Sequence, residues 1–111
     1  MRSRSLLGEF ELMVLLVVIR LGEQAYGVPI CAEIEHRTGR EAAVSSVYAA
    51  LERLEEKGFV SSFHGEPSVE RGGRAKRFFQ VTCQGLGAAR QTRQALTSLW
   101  TGLPKLERGT V

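Results

Sequence analysis

The feature that most restricts the fold of this chain is a change of hydrophobic period near its centre. Apolar side chains first recur at the spacing of a helix, at Val44, Val47, Leu51 and Leu54. These four are predicted to form the buried face of a helix that Gly58 ends. Two segments rich in Phe and Val follow, at residues 59–64 and 76–82, and are predicted as the strands of a hairpin.

Two helices are predicted before this point and one after it. The first extends from Glu9 to Leu21, with Gly8 and Glu11 at its capped start, and Gly22 follows its end. The second opens at residues 26–29 and ends at 38–39, and the last is capped by Thr82 and continues to about Leu103. Three helices, a hairpin and a fourth helix in 111 residues are typical of a winged helix-turn-helix.

Residues that could carry catalysis or bind a metal are scarce. The chain has twelve acidic residues, all of them Glu, which excludes mechanisms and metal loops built on Asp. His36 and His64 have no Cys or Glu at ligand spacing, so neither a metal nor a cofactor is expected. Cys31 and Cys83 are too few for a disulfide framework and are expected to be free thiols. No serine lies in a nucleophile motif, and the chain is not expected to be an enzyme.

The longest apolar run, Leu12–Ile19, has eight residues, far fewer than the roughly 18 of a membrane-spanning helix. Arg2 and Arg4 before it mimic a signal peptide, but Glu9 and Glu11 interrupt the approach, and a cytoplasmic location is expected. The run covers more than one face of a helix, whereas a surface helix of a small monomer needs one apolar stripe. The surplus predicts a second burial partner, such as another subunit.

Charge is divided unevenly along the chain. Residues 1–56 hold six Arg and nine Glu, a net charge of −3, and residues 57–111 hold nine Lys or Arg and three Glu, a net charge of +6. This asymmetry indicates a basic surface and an anionic partner. Much of the positive charge lies in and next to the loop that joins the predicted strands, and the cations Arg74, Lys76 and Arg77 are predicted to grip phosphates or the minor groove. The alternative is that these cations are only solvated and bind no partner.

The exposed side of the third helix changes character along its length. At about 100° per residue, its first two turns present small or hydrogen-bonding side chains, and its glutamates come only in the last turns. A helix that enters a major groove end-on needs this arrangement, because its start approaches base edges closely. The residues predicted to approach the bases are Ser45, Ser46, Tyr48 and Ala49. The alternative is that the serines only cap the start of the helix and the glutamates only keep its end in solvent, without any contact with DNA.

The last helix carries a seam of residues spaced by three and four. Its members are Leu86, Ala89, Arg93, Leu96, Trp100 and Leu103. This spacing resembles a heptad repeat and predicts an interface between two copies of the chain. Gly85 and Gly87 weaken the first turns by about 1 kcal/mol each relative to Ala, so the helix needs support from other elements.

Taken together, these motifs resemble the PadR family of bacterial transcriptional regulators over residues 6–90. The resemblance rests on the segments at residues 7–12, 26–30, 47–58 and 72–79. It implies a dimeric winged helix repressor that binds an imperfect palindrome and is released by a small aromatic or amphipathic ligand. Tyr26 is then a candidate phosphate contact and Trp100 a candidate effector contact. Relatives commonly have Ser where this chain has Ala43, the cap of the recognition helix.

The predicted fold class is therefore mainly α with a small β-hairpin. The predicted divisions are a winged helix-turn-helix DNA-binding domain at 1–82, a C-terminal dimerisation helix at 83–104 and a tail at 105–111. The predicted function is sequence-specific binding of double-stranded DNA by a homodimeric, ligand-responsive repressor. The alternative is a winged helix module that associates with proteins and does not bind DNA.

Overall fold

The computed structural model describes residues 6–65 and 76–107. In chain order, its elements are α1 (Glu9–Leu21), a 3₁₀ turn (Gly22–Gln24), α2 (Gly27–Thr38), α3 (Val44–Glu56), β1 (Val60–His64), β2 (Arg77–Val81), α4 (Cys83–Trp100) and α5 (Pro104–Glu107). The predicted fold class, mainly helical with one antiparallel hairpin, is confirmed. The bounds of α1 agree with those predicted, whereas the 3₁₀ turn and α5 were not predicted.

The link between α2 and α3 is short and closed by hydrogen bonds. Gly39 ends α2 in the left-handed conformation (φ 76°), which glycine adopts without steric cost, and its amide donates to the carbonyl of Glu35 at 2.9 Å. The Glu35 carboxylate in turn accepts from the backbone N–H of Ala42 at 3.0 Å. These contacts fix the direction in which α3 leaves the turn.

A single core joins α1, α2, α3 and the hairpin. Its largest fully buried side chains are Val14, Leu15, Val18, Ile30, Ile34, Val47, Leu51, Leu54 and Phe79. Burying a side chain of this size contributes about 1.5–3 kcal/mol relative to leaving it in water, so this cluster supplies most of the driving force for folding. The positions of the three helices around it determine which side of α3 faces outward.

One residue of the predicted buried face lies outside this core. Val44 is 45% exposed, so its assignment to the core was wrong. The buried stripe of α3 consists of Val47, Ala50, Leu51 and Leu54. Val44 lies about 70° from the centre of that stripe at 100° per residue, and it is the first residue of the helix. Its side chain therefore extends past the elements that cover the later turns.

The hairpin pairs β1 with β2 in antiparallel register, with Val60 opposite Val81 and His64 opposite Arg77. Both strands fall within the predicted segments. The link between α1 and α2 runs beside β2, because the carbonyl of Ala25 accepts from the N–H of Phe79 at 2.8 Å. The predicted loop cation Arg74 lies outside the described residues.

Helix α4 begins on the core and continues beyond it. Thr82 caps it as predicted, since its hydroxyl accepts from the N–H of Gly85 at 3.0 Å. Gly85, Ala89 and Thr92 are buried, whereas the residues from Leu96 to Leu106 are exposed. The helix ends at Trp100, so the predicted end near Leu103 was wrong: Gly102 adopts a positive φ of 88° and Pro104 starts α5. Within residues 6–65 and 76–107, no helix has the length and apolar character needed to cross a bilayer.

Candidate nucleic-acid interface

The starts of α2 and β2 meet through one lysine and one tyrosine. Tyr26 is the residue before α2, and Lys76 is the residue before β2. The Lys76 ammonium lies 3.3 Å from the Tyr26 hydroxyl oxygen and 4.5 Å from the centre of its ring. The edge of this ring also contacts Phe78, with 5.2 Å between ring centres. Two of the predicted phosphate contacts, far apart in sequence, are therefore neighbours in the fold.

The start of α3 joins the same region through Tyr48. Its ring lies 6.2 Å from that of Phe79, centre to centre, and packs against the backbone of Gly27. A Cβ atom at Gly27 would stand only 2.7 Å from the Tyr48 ring, so a larger residue there would displace this ring. Tyr48 is partly buried, and its ring links α3 to the start of α2. The structure thus gives this residue a packing role in addition to its predicted place near bases.

The first turns of α3 form an uncharged, exposed tip. Ser45, Ser46 and Ala49 are all exposed, as predicted, and the first turn has no acidic residue. Val44 belongs to this tip as well, which the sequence pattern missed by placing it in the core. The tip, defined by Val44, Ser45, Ser46 and Ala49, contains small side chains and hydroxyl groups at the end of a helix. Such a surface allows close approach to base edges.

The Arg77 side chain binds other residues of the same chain. Its guanidinium donates to Glu52 at 2.9 Å and to Glu55 at 2.7 Å, both on α3, and lies 4.9 Å from the centre of the Phe79 ring. Ser62 on β1 donates to the same Glu55 carboxylate at 2.7 Å. Glu52 and Glu55 raise the pKa of Arg77. The sequence predicted Arg77 as a phosphate contact, whereas the structure places it in a link between the hairpin and α3.

A second set of ion pairs attaches α1 to α3. The buried carboxylate of Glu11 accepts from Arg53 at 2.8 Å and from Lys57 at 3.0 Å. Burial alone would raise the pKa of Glu11, but the hydrogen bonds from Arg53 and Lys57 outweigh it, and the pKa is lowered. The sequence identified Glu11 only as a capping partner of Gly8. The position of Glu11 directly before a long apolar run is the signal that could have indicated a buried ion pair.

An apolar groove of about 470 Å³ lies between α1 and α4. It is lined on α1 by Leu12, Leu16 and Ile19 and on α4 mainly by Leu86, Ala89, Arg90, Arg93, Leu96 and Trp100. Five of the six predicted interface residues therefore share one surface with the surplus apolar side chains of α1, and Leu103 lies beyond the end of α4. Trp100 is 56% exposed in the single chain.

Comparison with known families identifies the chain. The model of the transcriptional regulator PadR-like family matches residues 14–91. The chain belongs to this family. No significant match to a curated protein is found.

Solved structures of PadR-like proteins share the fold. A PadR-like transcriptional regulator from Bacillus cereus is 18% identical, with a TM-score of 0.69 over 91% of this chain and 93% of that one. A PadR family regulator from Clostridium difficile is 16% identical, with a TM-score of 0.71 over 89% of this chain and 98% of that one. The PadR protein of Bacillus subtilis, solved in complex with operator DNA, is 20% identical, with a TM-score of 0.63 over 74% of this chain and 46% of that one.

In this PadR-like chain the start of α3 is incompletely capped. Ala43 occupies the N-cap of α3 with an extended backbone (φ −73°, ψ 144°), and no side chain accepts a hydrogen bond there. A Ser at this position would satisfy one of the amides at the start of the helix, and its absence costs about 1 kcal/mol. Lower stability is therefore expected at the tip of α3.

Proposed function

We propose that this PadR-like protein is a cytoplasmic homodimeric repressor that binds a palindromic DNA operator and responds to a small aromatic or amphipathic ligand. The observation that carries the proposal is the convergence of three element starts. The uncharged tip of α3 lies beside the start of α2 through the contact of Tyr48 with Gly27. The start of α2 lies beside the start of β2 through the contact of Tyr26 with Lys76.

This arrangement separates the two tasks of a DNA-binding surface. The tip of α3 contacts base edges in the major groove, and Lys76, Tyr26 and the loop residue Arg74 contact phosphates on either side of it. Phosphate contacts supply most of the affinity without reading sequence, and base contacts supply specificity. Arg77 holds the hairpin against α3 through Glu52 and Glu55 and so keeps the two contact regions in fixed relation.

The direct test is selection of bound duplexes from a random pool, followed by affinity measurements on the selected operator. Replacing Arg74 and Lys76 by Ala should weaken binding to all duplexes and reduce its salt dependence. The wild-type dimer should lose about 10³–10⁵-fold in affinity between 50 and 200 mM salt if it makes about 6–10 phosphate contacts. Lys105→Ala on α5 is the matched control and should change neither quantity. Unchanged duplex affinity of the double variant would favour the protein-association alternative.

The homodimer is proposed from the exposed apolar side chains of α1 and α4. Leu16 is 48% exposed and Leu96 is 50% exposed, and both line the same groove. Joining two copies there would remove this surface from water and place two recognition helices about one DNA turn, roughly 34 Å, apart. Mass measurement at micromolar concentration tests it, and a strictly monomeric protein would contradict the proposal.

A ligand site is proposed in the same groove, beside Trp100, where a ligand would compete with the second copy for the apolar surface. Its volume of about 470 Å³ falls within the range of about 300–1,000 Å³ typical of small-molecule pockets. Arg90 and Arg93 at its edge could pair with an anionic group on an otherwise apolar ligand. Because Trp100 is the single tryptophan of the chain, its fluorescence reports occupancy. A compound that quenches Trp100 should also weaken operator binding, and operator affinity indifferent to every such compound would refute the switch.

A further inference from the structure

An exposed valine stands at the position where a recognition helix contacts bases. Val44 is the first residue of α3 and is 45% exposed. It lies apart from the apolar groove between α1 and α4, none of whose lining residues belongs to α3. The exposed side chain of Val44 therefore belongs neither to the core nor to the proposed subunit interface.

We infer that Val44 reads the methyl group of a thymine in each operator half-site. This inference rests on the proposed function, since it requires α3 to enter the major groove. On the major-groove edges of the four bases, the C5 methyl of thymine is the one apolar group, and it is recognised by apolar contact. Valine has no hydrogen-bonding group on its side chain, so it can add sequence preference at a base only through such a contact.

The surroundings of Val44 favour this role. The first turn of α3 has no acidic side chain, and Ser45 and Ser46 next to Val44 are exposed. Hydroxyl groups can donate to or accept from neighbouring base edges, while Val44 contributes shape and apolar contact. A β-branched side chain is restricted in its rotation about χ1, so the two methyl groups of Val44 have few orientations. Little conformational entropy is lost when such a side chain meets a base.

The size of the effect follows from the burial of one methyl group. Removing a buried CH₂ or CH₃ changes an affinity roughly fourfold. Two half-sites bound by one dimer would then give a change on the order of tenfold. Both values lie well above the error of an equilibrium titration.

The experiment compares operator selection by the wild type and by Val44→Ala, followed by removal of single thymine methyls. The variant should lose its preference for thymine at one position of the half-site and keep the preferences at the others. Replacing that thymine by 2′-deoxyuridine should lower wild-type affinity roughly fourfold per half-site and leave the affinity of Val44→Ala unchanged. Alanine is a better helix former than valine, so the variant is expected to fold.

Val28→Ala is the matched control. Val28 is also an exposed valine, 57% exposed in the first turn of a helix, but that helix is α2, which is expected to cross the DNA backbone. Its variant should retain the wild-type preference and the wild-type response to deoxyuridine. If no thymine replacement changes wild-type affinity, or if Val44→Ala selects the same bases everywhere, the inference is wrong while specific DNA binding stands. A wild type that selects no sequence would overturn the proposed function itself.

Discussion

Replacing Gly85 by alanine should destabilise the protein, whereas the same replacement at Gly87 should stabilise it. Both glycines lie in the first turns of α4, where alanine is the better helix former by up to about 1 kcal/mol. Their surroundings differ. A Cβ atom at Gly85 would stand 2.1 Å from the carbonyl oxygen of Phe59 and 2.9 Å from a methyl of Val81, while a Cβ atom at Gly87 meets nothing within 4 Å.

The cost at Gly85 exceeds the gain in helix propensity. The carbonyl of Phe59 cannot move away freely, because it accepts from the N–H of Thr82 at 3.0 Å. Overpacking a tight site costs about 1–3 kcal/mol, and a weakened hydrogen bond adds about 1 kcal/mol. After the propensity gain is subtracted, Gly85→Ala should lower the free energy of unfolding by about 2 kcal/mol.

Urea unfolding at one fixed protein concentration measures both variants, because the stability of the proposed dimer would depend on its concentration. Gly87→Ala should raise the free energy of unfolding by about 1 kcal/mol and the melting temperature by about 4 °C. Gly85→Ala should move both quantities in the opposite direction. If both variants stabilise the protein equally, then α4 does not pack against the hairpin as closely as the structure indicates.

Three further predictions concern the cap of α3, the Glu11 ion pairs and the two thiols. Ala43→Ser should raise the free energy of unfolding by about 1 kcal/mol in urea denaturation, because its hydroxyl can accept from an amide in the first turn of α3; no change would mean that another group already satisfies that amide. The pKa of Glu11 is lowered in the folded protein. The stability that its ion pairs contribute is therefore complete above pH 4.5, the ordinary pKa of a Glu side chain, and is lost as the pH falls below that value. Urea titrations between about pH 6 and pH 3 should show a shallower loss of the free energy of unfolding for Glu11→Gln than for the wild type, and an equal loss would contradict the role of these ion pairs. A thiol reagent should label Cys83 rapidly and Cys31 only on unfolding, because Cys31 is buried and burial raises its pKa, and Cys83→Ser should abolish the rapid phase.

Much of the fold could be predicted because its signals are local. The ends of α1 and α2 are marked by Gly22 and Gly39, and the start of α4 by the hydroxyl of Thr82, each within one turn of the element it bounds. The end of α4 was harder to place. Gly102 and Pro104 both signal a stop near this position. The helix ends before the first of them, at Trp100, and Thr101 has an extended backbone (ψ 137°).

The candidate site was only partly predictable, because its remaining features depend on residues distant in sequence. The small and polar side chains of the α3 tip follow from helical period alone, and they are exposed as expected. The partners of Arg77 are 22 and 25 positions away, and those of Glu11 are 42 and 46 positions away, so no local pattern shows them. The exposure of Val44 likewise depends on where α1 and α2 stop covering α3.

If the chain binds a palindromic operator as proposed, the attachment of Arg77 to both Glu52 and Glu55 has a consequence for the shape of that operator. Bending the hairpin away from α3 would break two ion pairs at once, so the hairpin and α3 are expected to meet the DNA as one unit. Operators whose half-sites are spaced differently would then have to be accommodated by distortion of the duplex or by rotation of one subunit against the other. The tolerance of binding to changes in half-site spacing would thus measure the stiffness of DNA and of the subunit contact, and would say little about the hairpin.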